Sequence, residues 1–401
     1  MNNTFGRMRR IGLLWVVLVG ACLALSVEAW TSQAIFRTPP PTTNWPHKRT
    51  SLGLARSAVA DELLYKEQEK LLVKRGEHEG KLMADTGTPL ETHVVKGAGS
   101  KGGFGGGGGG GSNSKSKSGI KAQAKALAKV LHDEGVVRID NVLSAKTATA
   151  IRQYLYTRRQ DSLDLLQAGE IEYHHRFADV LLRENRCDMP VPLGDNNIVD
   201  VALQEVLLES PVAGVISNLM TDQAVLYELS ALISDPGSQR QVVHPDTPYG
   251  ASIDTDEPVL YTCFIALQDI TLEMGPTTWL PRTHNKASHE KFYDEAEPAD
   301  GTETVKDKLI RTTPSRLGVL PQGCCAVYDS RVLHCGTANQ SEDQSRALFY
   351  FSFKNPNIGP VVGSPGSIRR DMIGKWSLAA MQKELKLIAK KKPSGNFVSN
   401  P

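Results

Sequence analysis

The sequence predicts a mainly β domain with flanking helices (α+β), arranged as a jelly-roll barrel. Helical periodicity comes first, within residues 120–219, and from Gln223 onward the chain turns to short β-rich runs separated by Gly and Pro. Helices followed by many short strands suit a barrel backed by helices. With 401 residues, 40% of them hydrophobic, there is material for a sizeable core.

The elements follow in order. A helical pattern runs from Ile120 to Glu134, a strand is expected at Val136-Val137-Arg138-Ile139, and Ser144 is placed to cap a second helix. Leu203 to Leu219 reads as further helix, interrupted where Ser210-Pro211 can end one segment and start the next. The strands expected after it are Ala224–Ile233, Val259–Leu267, Cys324–Tyr328 and Ala347–Phe353. Trp376 to Lys392 reads as a closing amphipathic helix with a basic end, which packs on the barrel or promotes self-association.

The first 118 residues have a different character. Arg7, Arg9 and Arg10 precede an uncharged run from Ile11 to Val27, and Val27-Glu28-Ala29 fits a cleavage site, so residues 1–29 read as a signal peptide. Should the run 11–27 stay uncleaved, it would serve as a membrane anchor. Residues 30–60 contain no Asp or Glu and carry scattered Arg and Lys among Ser, Thr and Pro, the composition of a transit peptide. This two-part presequence resembles those that direct proteins to secondary plastids in algae, and the alternative destination is the secretory lumen or secretion. Residues 61–118 form a charged spacer, with Leu63, Leu64, Leu71 and Leu72 hinting at a short helix, followed by a Gly/Ser-rich linker. The globular domain is therefore expected over 119–401.

Charge and cysteine usage narrow the class. A net charge of +2 implies no polyanion-binding surface and no nucleic-acid partner. Beyond Cys22, five cysteines at irregular spacing do not form a disulfide framework. Asn339-Gln340-Ser341 is a glycosylation sequon beside the site proposed next, where a glycan would obstruct access.

Chemistry concentrates near the C-terminal end. His244-Pro245-Asp246 places an imidazole and a carboxylate two positions apart, so both can enter one pocket from an extended strand end. His334 lies just beyond the strand Cys324–Tyr328, and Arg346 opens the strand Ala347–Phe353. Two His and one carboxylate on one face suit non-haem iron(II), and a fixed Arg can grip the carboxylate of 2-oxoglutarate.

With these residues in view, the chain resembles the phytanoyl-CoA-dioxygenase-like (PhyH) iron(II)/2-oxoglutarate oxygenases over about residues 120–355. The resemblance rests on the run Glu134 to Leu143, on His244-Pro245-Asp246, and on Phe264-Ile265-Ala266-Leu267. It continues through Gly275 to His284, then His334-Cys335-Gly336, Asn339, Ser341 and Arg346. It implies a double-stranded β-helix, Fe(II) on His244, Asp246 and His334, and the distal carboxylate of 2-oxoglutarate on Arg346. O₂ is the implied co-substrate, with ascorbate in support. The reaction implied is oxidative decarboxylation to succinate and CO₂, coupled to hydroxylation, desaturation or cyclisation of a small-molecule substrate. A kainoid-type cyclisation of a prenylated amino acid would be one setting, suggested by the inferred plastid context alone. The Asp246 carboxylate argues against a halogenase, which needs a small residue there. The alternative is a non-catalytic member that binds a metabolite or partner.

By comparison with the family, Thr262 and Phe264 face the cavity, and Phe264 and Trp279 are candidates for lining the substrate channel, with a plain core role as the alternative. Tyr227 is a candidate polar contact at the keto-acid end. His284 reads as a structural loop residue, and His174 and His175 as surface or substrate-side residues, with a second metal site as the alternative. Cys335 points away from the face that His334 occupies. Oligomeric state has no sequence signature.

Overall fold

Apolar runs with period-two alternation build two sheets, and amphipathic runs cover them. The computed structural model describes residues 69–83, 87–93, 117–170, 181–183, 185–194, 198–250, 253–294, 296, 298, 301–359 and 367–391. The expected signal and transit segments, the glycine run, His174 and His175 lie outside the described residues. Chain contacts define two units. Of the smaller, Met1–Arg75 with Val362–Ser364, only 69–75 are described, and they are helical. The larger, Gly76–Val361 with Pro365–Pro401, holds everything that follows apart from residues 69–75 at the start of the first helix.

In chain order the elements are α1 (residues 69–83), β1 (Thr88–Pro89), α2 (Lys117–Glu134) and β2 (Val136–Ile139). Helix α3 (Ala145–Gln167) starts at Ser144, whose hydroxyl accepts from the Thr147 N–H as an N-cap. A hairpin of β3 (Leu181–Arg183) and β4 (Arg186–Pro190) comes next. Helix α4 (Ile198–Gln204) widens into a π turn at Glu205–Glu209 before α5 (Val212–Leu219). Then come β5 (Val225–Ser234), β6 (Leu260–Ala266), β7 (Thr277–Leu280), α6 (Lys286–Tyr293) and α7 (Val305–Thr312). The chain continues through β8 (Arg316–Leu317), β9 (Cys325–Asp329), β10 (Leu333–Gly336), β11 (Arg346–Lys354) and α8 (Leu378–Lys391).

The large sheet has the order β2-β9-β6-β11-β5-β4-β3, and the small one β1-β8-β7-β10. Alternation sorts the large sheet cleanly. Phe349, Phe351 and Phe353 of β11, Cys263 and Ile265 of β6, and Leu229, Ala231 and Ile233 of β5 turn to one side. There they meet Leu127 and Leu131 of α2, Ile151 and Leu155 of α3, Val215 and Ile216 of α5, and Met381 of α8. Each buried Phe gains roughly 1.5–3 kcal/mol from leaving water. Residues of opposite parity, among them Phe264, Ala266, Ala326, Tyr328, Leu348 and Tyr350, form a second core with Trp279 of the small sheet. The sheets thus face one another as a jelly-roll sandwich. Among the described residues no hydrogen-bonded ladder closes them into a complete barrel.

One bulge adjusts this parity. Ser352 pairs with Glu228 but Phe353 pairs with Leu226, so Tyr227 is the extra residue. Leu226 and Leu229 consequently share the helix-covered side.

Part of the stretch 61–118, expected as spacer and linker, packs against the domain expected over 119–401. Within the stretch expected to be a solvated spacer, β1 pairs in parallel with β8, Leu90 joins the inter-sheet core, and Met83 packs with Leu280 and Leu333 on the outer face of the small sheet. These contacts pair residues some 228 positions apart (Thr88 with Arg316), which local periodicity cannot reveal. Residues 69–83 are helical, with Glu79 and Met83 buried and Leu71 and Leu72 exposed, while Leu63 and Leu64 lie outside the described residues. No helix among the described residues is long and apolar enough to cross a membrane.

Candidate metal centre

The segment 241–247 runs antiparallel along the free edge of β10. Gln241 N–H donates to Gly336 O at 2.8 Å and Thr247 N–H to Ser330 O at 2.9 Å. Between them, His244 and His334 exchange both backbone bonds, each 2.9 Å. Directly opposed residues of an antiparallel pair project to the same face, so the two imidazoles lie side by side with centroids 4.6 Å apart. Asp246, two residues on, returns to that face.

The donor atoms of His244, Asp246 and His334 all lie within 4.8 Å of one another, the one such group among the described residues. Asp246 Oδ1 is 3.5 Å from His334 Nε2 and 3.9 Å from His244 Nε2. Each His Nδ1 faces the carbonyl two residues back, His244 to Val242 O at 2.8 Å and His334 to Val332 O at 3.0 Å. A carbonyl only accepts, so each Nδ1 carries the proton and each Nε2 lone pair turns to the centre. Tyr328 O–H donates to Asp246 Oδ2 at 3.1 Å, which leaves Oδ1 for an ion. This donor set fits a divalent transition metal held on one face.

Trp279, the register partner of His334, lines a small cavity with Phe264, Thr277, Gly318, Arg346 and Leu348, among others. Arg346 is fully buried. Its guanidinium donates to Gly275 O and, at 3.1 Å, to Ser234 Oγ, while Nε has no partner. No carboxylate pairs with it among the described residues. Burial, and then the nearby Arg186 charge, push its pKa down to about 9. Trp279 Nε1 is also buried without an acceptor. A buried guanidinium without a counter-charge is a candidate contact for an anion.

Sequence-predicted residues fall as follows. Phe264 lines the cavity and stacks edge-on with Tyr328 and Tyr350 at 5.1 and 5.4 Å. Trp279 stands opposite His334 across the β7–β10 pair and lines the same cavity. Thr262 lies between Tyr328 and Ser352 in register, on the inward face. Tyr227, set on the bulge, packs with Ile253, Val259, Leu260 and Ile358. It lies seven residues along β5 from Ser234, at the far end from the Arg346 guanidinium. His284 meets His132 O at 3.0 Å and packs on Gly135, remote from the triad in register. Cys335 faces outward in the cluster with Met83 and Leu280. Asn339 is buried, its Nδ2 donating to Ser234 O and Gln344 O, so the sequon amide is not available to a glycan in the folded chain.

Three inward residues were missed. Besides Tyr328, Asp188 of β4 accepts from Ser230 Oγ (2.6 Å), Tyr350 O–H (3.1 Å) and Ser367 Oγ (2.9 Å). Glu228 of β5 is pushed up to about 8, first by burial and then by the Asp246 charge, against the Ser352 hydroxyl. A lone acid inside the apolar run Val225–Ser234 was the available signal for it.

Two imidazoles and a carboxylate that could hold a metal ion, with a buried guanidinium, thus lie on the inner walls of a jelly-roll. Residues 131–348 match the phytanoyl-CoA dioxygenase (PhyH) family, and the chain belongs to that family. Dioxygenase af480 of Aspergillus fumigatus is 22% identical over 191 residues, 47% of this chain and 55% of that protein. The chain thus spans about half the length of the curated relative it matches. Among solved structures, the non-heme alpha-ketoglutarate-dependent carbocyclase SnoK from nogalamycin biosynthesis is 19% identical, at a TM-score of 0.39, covering 58% of this chain and 84% of that one. HygX from Streptomyces hygroscopicus, with nickel, 2-oxoglutarate and hygromycin B bound, is 10% identical at 0.39, covering 62% and 94%. These likenesses are distant.

Proposed function

We propose that the protein is an iron(II)- and 2-oxoglutarate-dependent dioxygenase that oxidises a small molecule. One observation carries this reading: the His244, Asp246 and His334 donors converge on the inner face, and Trp279, the register partner of His334, shares a small cavity with the buried, carboxylate-free guanidinium of Arg346.

The division of labour follows from position. His244 and His334 would hold iron through Nε2, and Asp246 through Oδ1. Bound iron and the keto acid would supply dioxygen activation coupled to oxidative decarboxylation, giving succinate, CO₂ and the power to break a substrate C–H bond. Arg346 would fix the far carboxylate of the keto acid, with Gly275 O and Ser234 Oγ orienting the guanidinium. Tyr328 holds Asp246 in place by its hydrogen bond. Phe264, Tyr328 and Tyr350 wall the space with stacked rings and exclude water from it. Hydroxylation, desaturation and ring closure, including a kainoid-type cyclisation, are all outcomes of this chemistry, and no residue of the site selects among them.

Purified protein with Fe(II), ascorbate and 2-oxoglutarate should release succinate, and a substrate should stimulate it. His244→Ala should abolish turnover, and undiminished turnover in that variant would refute the metal assignment. We further propose that residues 1–60 direct the chain to a plastid, supported by the two-part composition of that segment. A fluorescent reporter carrying residues 1–60 separates plastid import from retention in the secretory lumen.

A further inference from the structure

The chain bearing His244 has an outer side as well as an inner one. His244 turns its imidazole inward, so Val243 turns outward and packs with Met83, Leu280, Leu333 and Cys335. Covering this side is the stretch of α1 from Gly76 to Met83, which precedes the family-matched residues 131–348.

The helix approaches closely because two glycines face the chain. A Cβ at Gly76 would come within 3.0 Å of Arg240 O, and one at Gly80 within 3.2 Å of Arg240 Cδ. Glu79, between them, is fully buried. Its Oε2 accepts from the Val243 N–H at 2.6 Å, and Lys306 Nζ lies 4.0 Å from Oε1. The adjacent N–H, that of His244, is committed to His334 O. The Val243 N–H points the opposite way, off the sheet edge, where Glu79 receives it. Arg240 completes the contact by placing Nη2 3.1 Å from Met83 Sδ and 3.3 Å from Cys335 Sγ, beside the second histidine. These two helical turns therefore touch the chain next to both imidazoles from behind.

We infer that Glu79 is a positioning residue of the metal centre: through the Val243 main chain it fixes the register and tilt of the His244–Asp246 segment. This inference rests on the metal-site reading proposed above. Removing the acceptor frees the segment to shift, and the His244 and Asp246 donors lose their fixed separation from His334.

The test uses Co(II) as the probe, titrated anaerobically into the full chain and followed by its visible ligand-field bands. Wild type is measured first, and failure of wild type to bind overturns the metal-site reading itself. Glu79→Leu should weaken Co(II) binding at least tenfold and alter the bands, whereas Glu79→Gln, which keeps an acceptor, should stay within threefold of wild type. Gly76→Ala keeps Glu79, improves helix propensity and forces the turn off the Arg240 carbonyl. It should weaken Co(II) binding by more than the threefold allowed for Glu79→Gln while cooperative unfolding is retained, and it decides the matter where Glu79→Leu does not fold. Wild-type Co(II) affinity and spectrum in a folded Glu79→Leu, or in Gly76→Ala where Glu79→Leu does not fold, would overturn the assignment.

Discussion

Replacing Arg346 with Met tests the anion site most directly, because the structure sets the two sides of the balance against each other. In the ligand-free chain the guanidinium is buried without a carboxylate, and its pKa falls from 12.5 to about 9. Arginine keeps its proton in proteins, so the fall measures what burial costs. At about 1.4 kcal/mol for each tenfold change in proton affinity, that cost is of order 5 kcal/mol. Methionine removes it but strands two buried acceptors, Gly275 O and Ser234 Oγ, at about 1–3 kcal/mol each. The two effects nearly cancel. Arg346→Met should therefore unfold within about 3 kcal/mol of wild type in the absence of ligand, unlike most core truncations. The ligand-bound state should behave differently. Two charge-assisted bonds to a carboxylate, at about 1.5–3 kcal/mol each, correspond to a loss of roughly 10² to 10⁴ in 2-oxoglutarate affinity. At a hundredfold excess over Kd, 2-oxoglutarate stabilises wild type by about 2.7 kcal/mol, some 5–10 °C in Tm for a domain of this size. Thermal unfolding with Co(II) and increasing 2-oxoglutarate reads both quantities. A variant that keeps wild-type 2-oxoglutarate affinity would refute the role given to this guanidinium.

Two further outcomes follow from the same geometry. Tyr328→Phe deletes the O–H that donates to Asp246 Oδ2 and should weaken metal binding about 10- to 100-fold. Calorimetric titration with Co(II) checks it, and an unchanged Kd would show that the bond does not orient the carboxylate. Burial, outweighing a 2.7 Å hydrogen bond to Arg331 O, holds His289 below its usual 6.5. The unfolded chain takes up this proton near 6.5 and the folded chain only at lower pH. Its stability contribution is therefore complete above about pH 6.5 and is lost as pH falls through and below that value. His289→Gln should lose less stability than wild type between about pH 7.5 and 5.5, as read by denaturant midpoints. Equal losses would assign the acid sensitivity elsewhere.

Much of this architecture is written in local pattern. β2, β5, β6, β9 and β11 alternate apolar residues strongly enough that their expected ends lie within one residue of the observed ones. Strand β4, Arg186–Pro190, was invisible because its inward residues, Arg186 and Asp188, are charged, which breaks the alternation that marks a strand. β7 and β10 are four residues each, too short for periodicity to register, although one carries Trp279 and the other His334. The candidate triad was legible in part because the spacing of His244 and Asp246 needs no tertiary knowledge. Tyr328 was named only as a strand end, since its aim at Asp246 depends on how β9 lies against the segment carrying that ligand. The bulge at Tyr227 shows the limit of counting residues: one extra position in β5 changes which side chains share a face, and nothing in the run Val-Leu-Tyr-Glu announces it.

The mutual pair of main-chain bonds between His244 and His334 ties occupancy of the centre to cohesion of the sandwich rim. An ion bridging the two rings would clasp two stretches of chain ninety residues apart, and the loop between them would be fastened at its neck. Loading would thus reinforce the rim, and fraying of the rim would open the route by which the ion leaves.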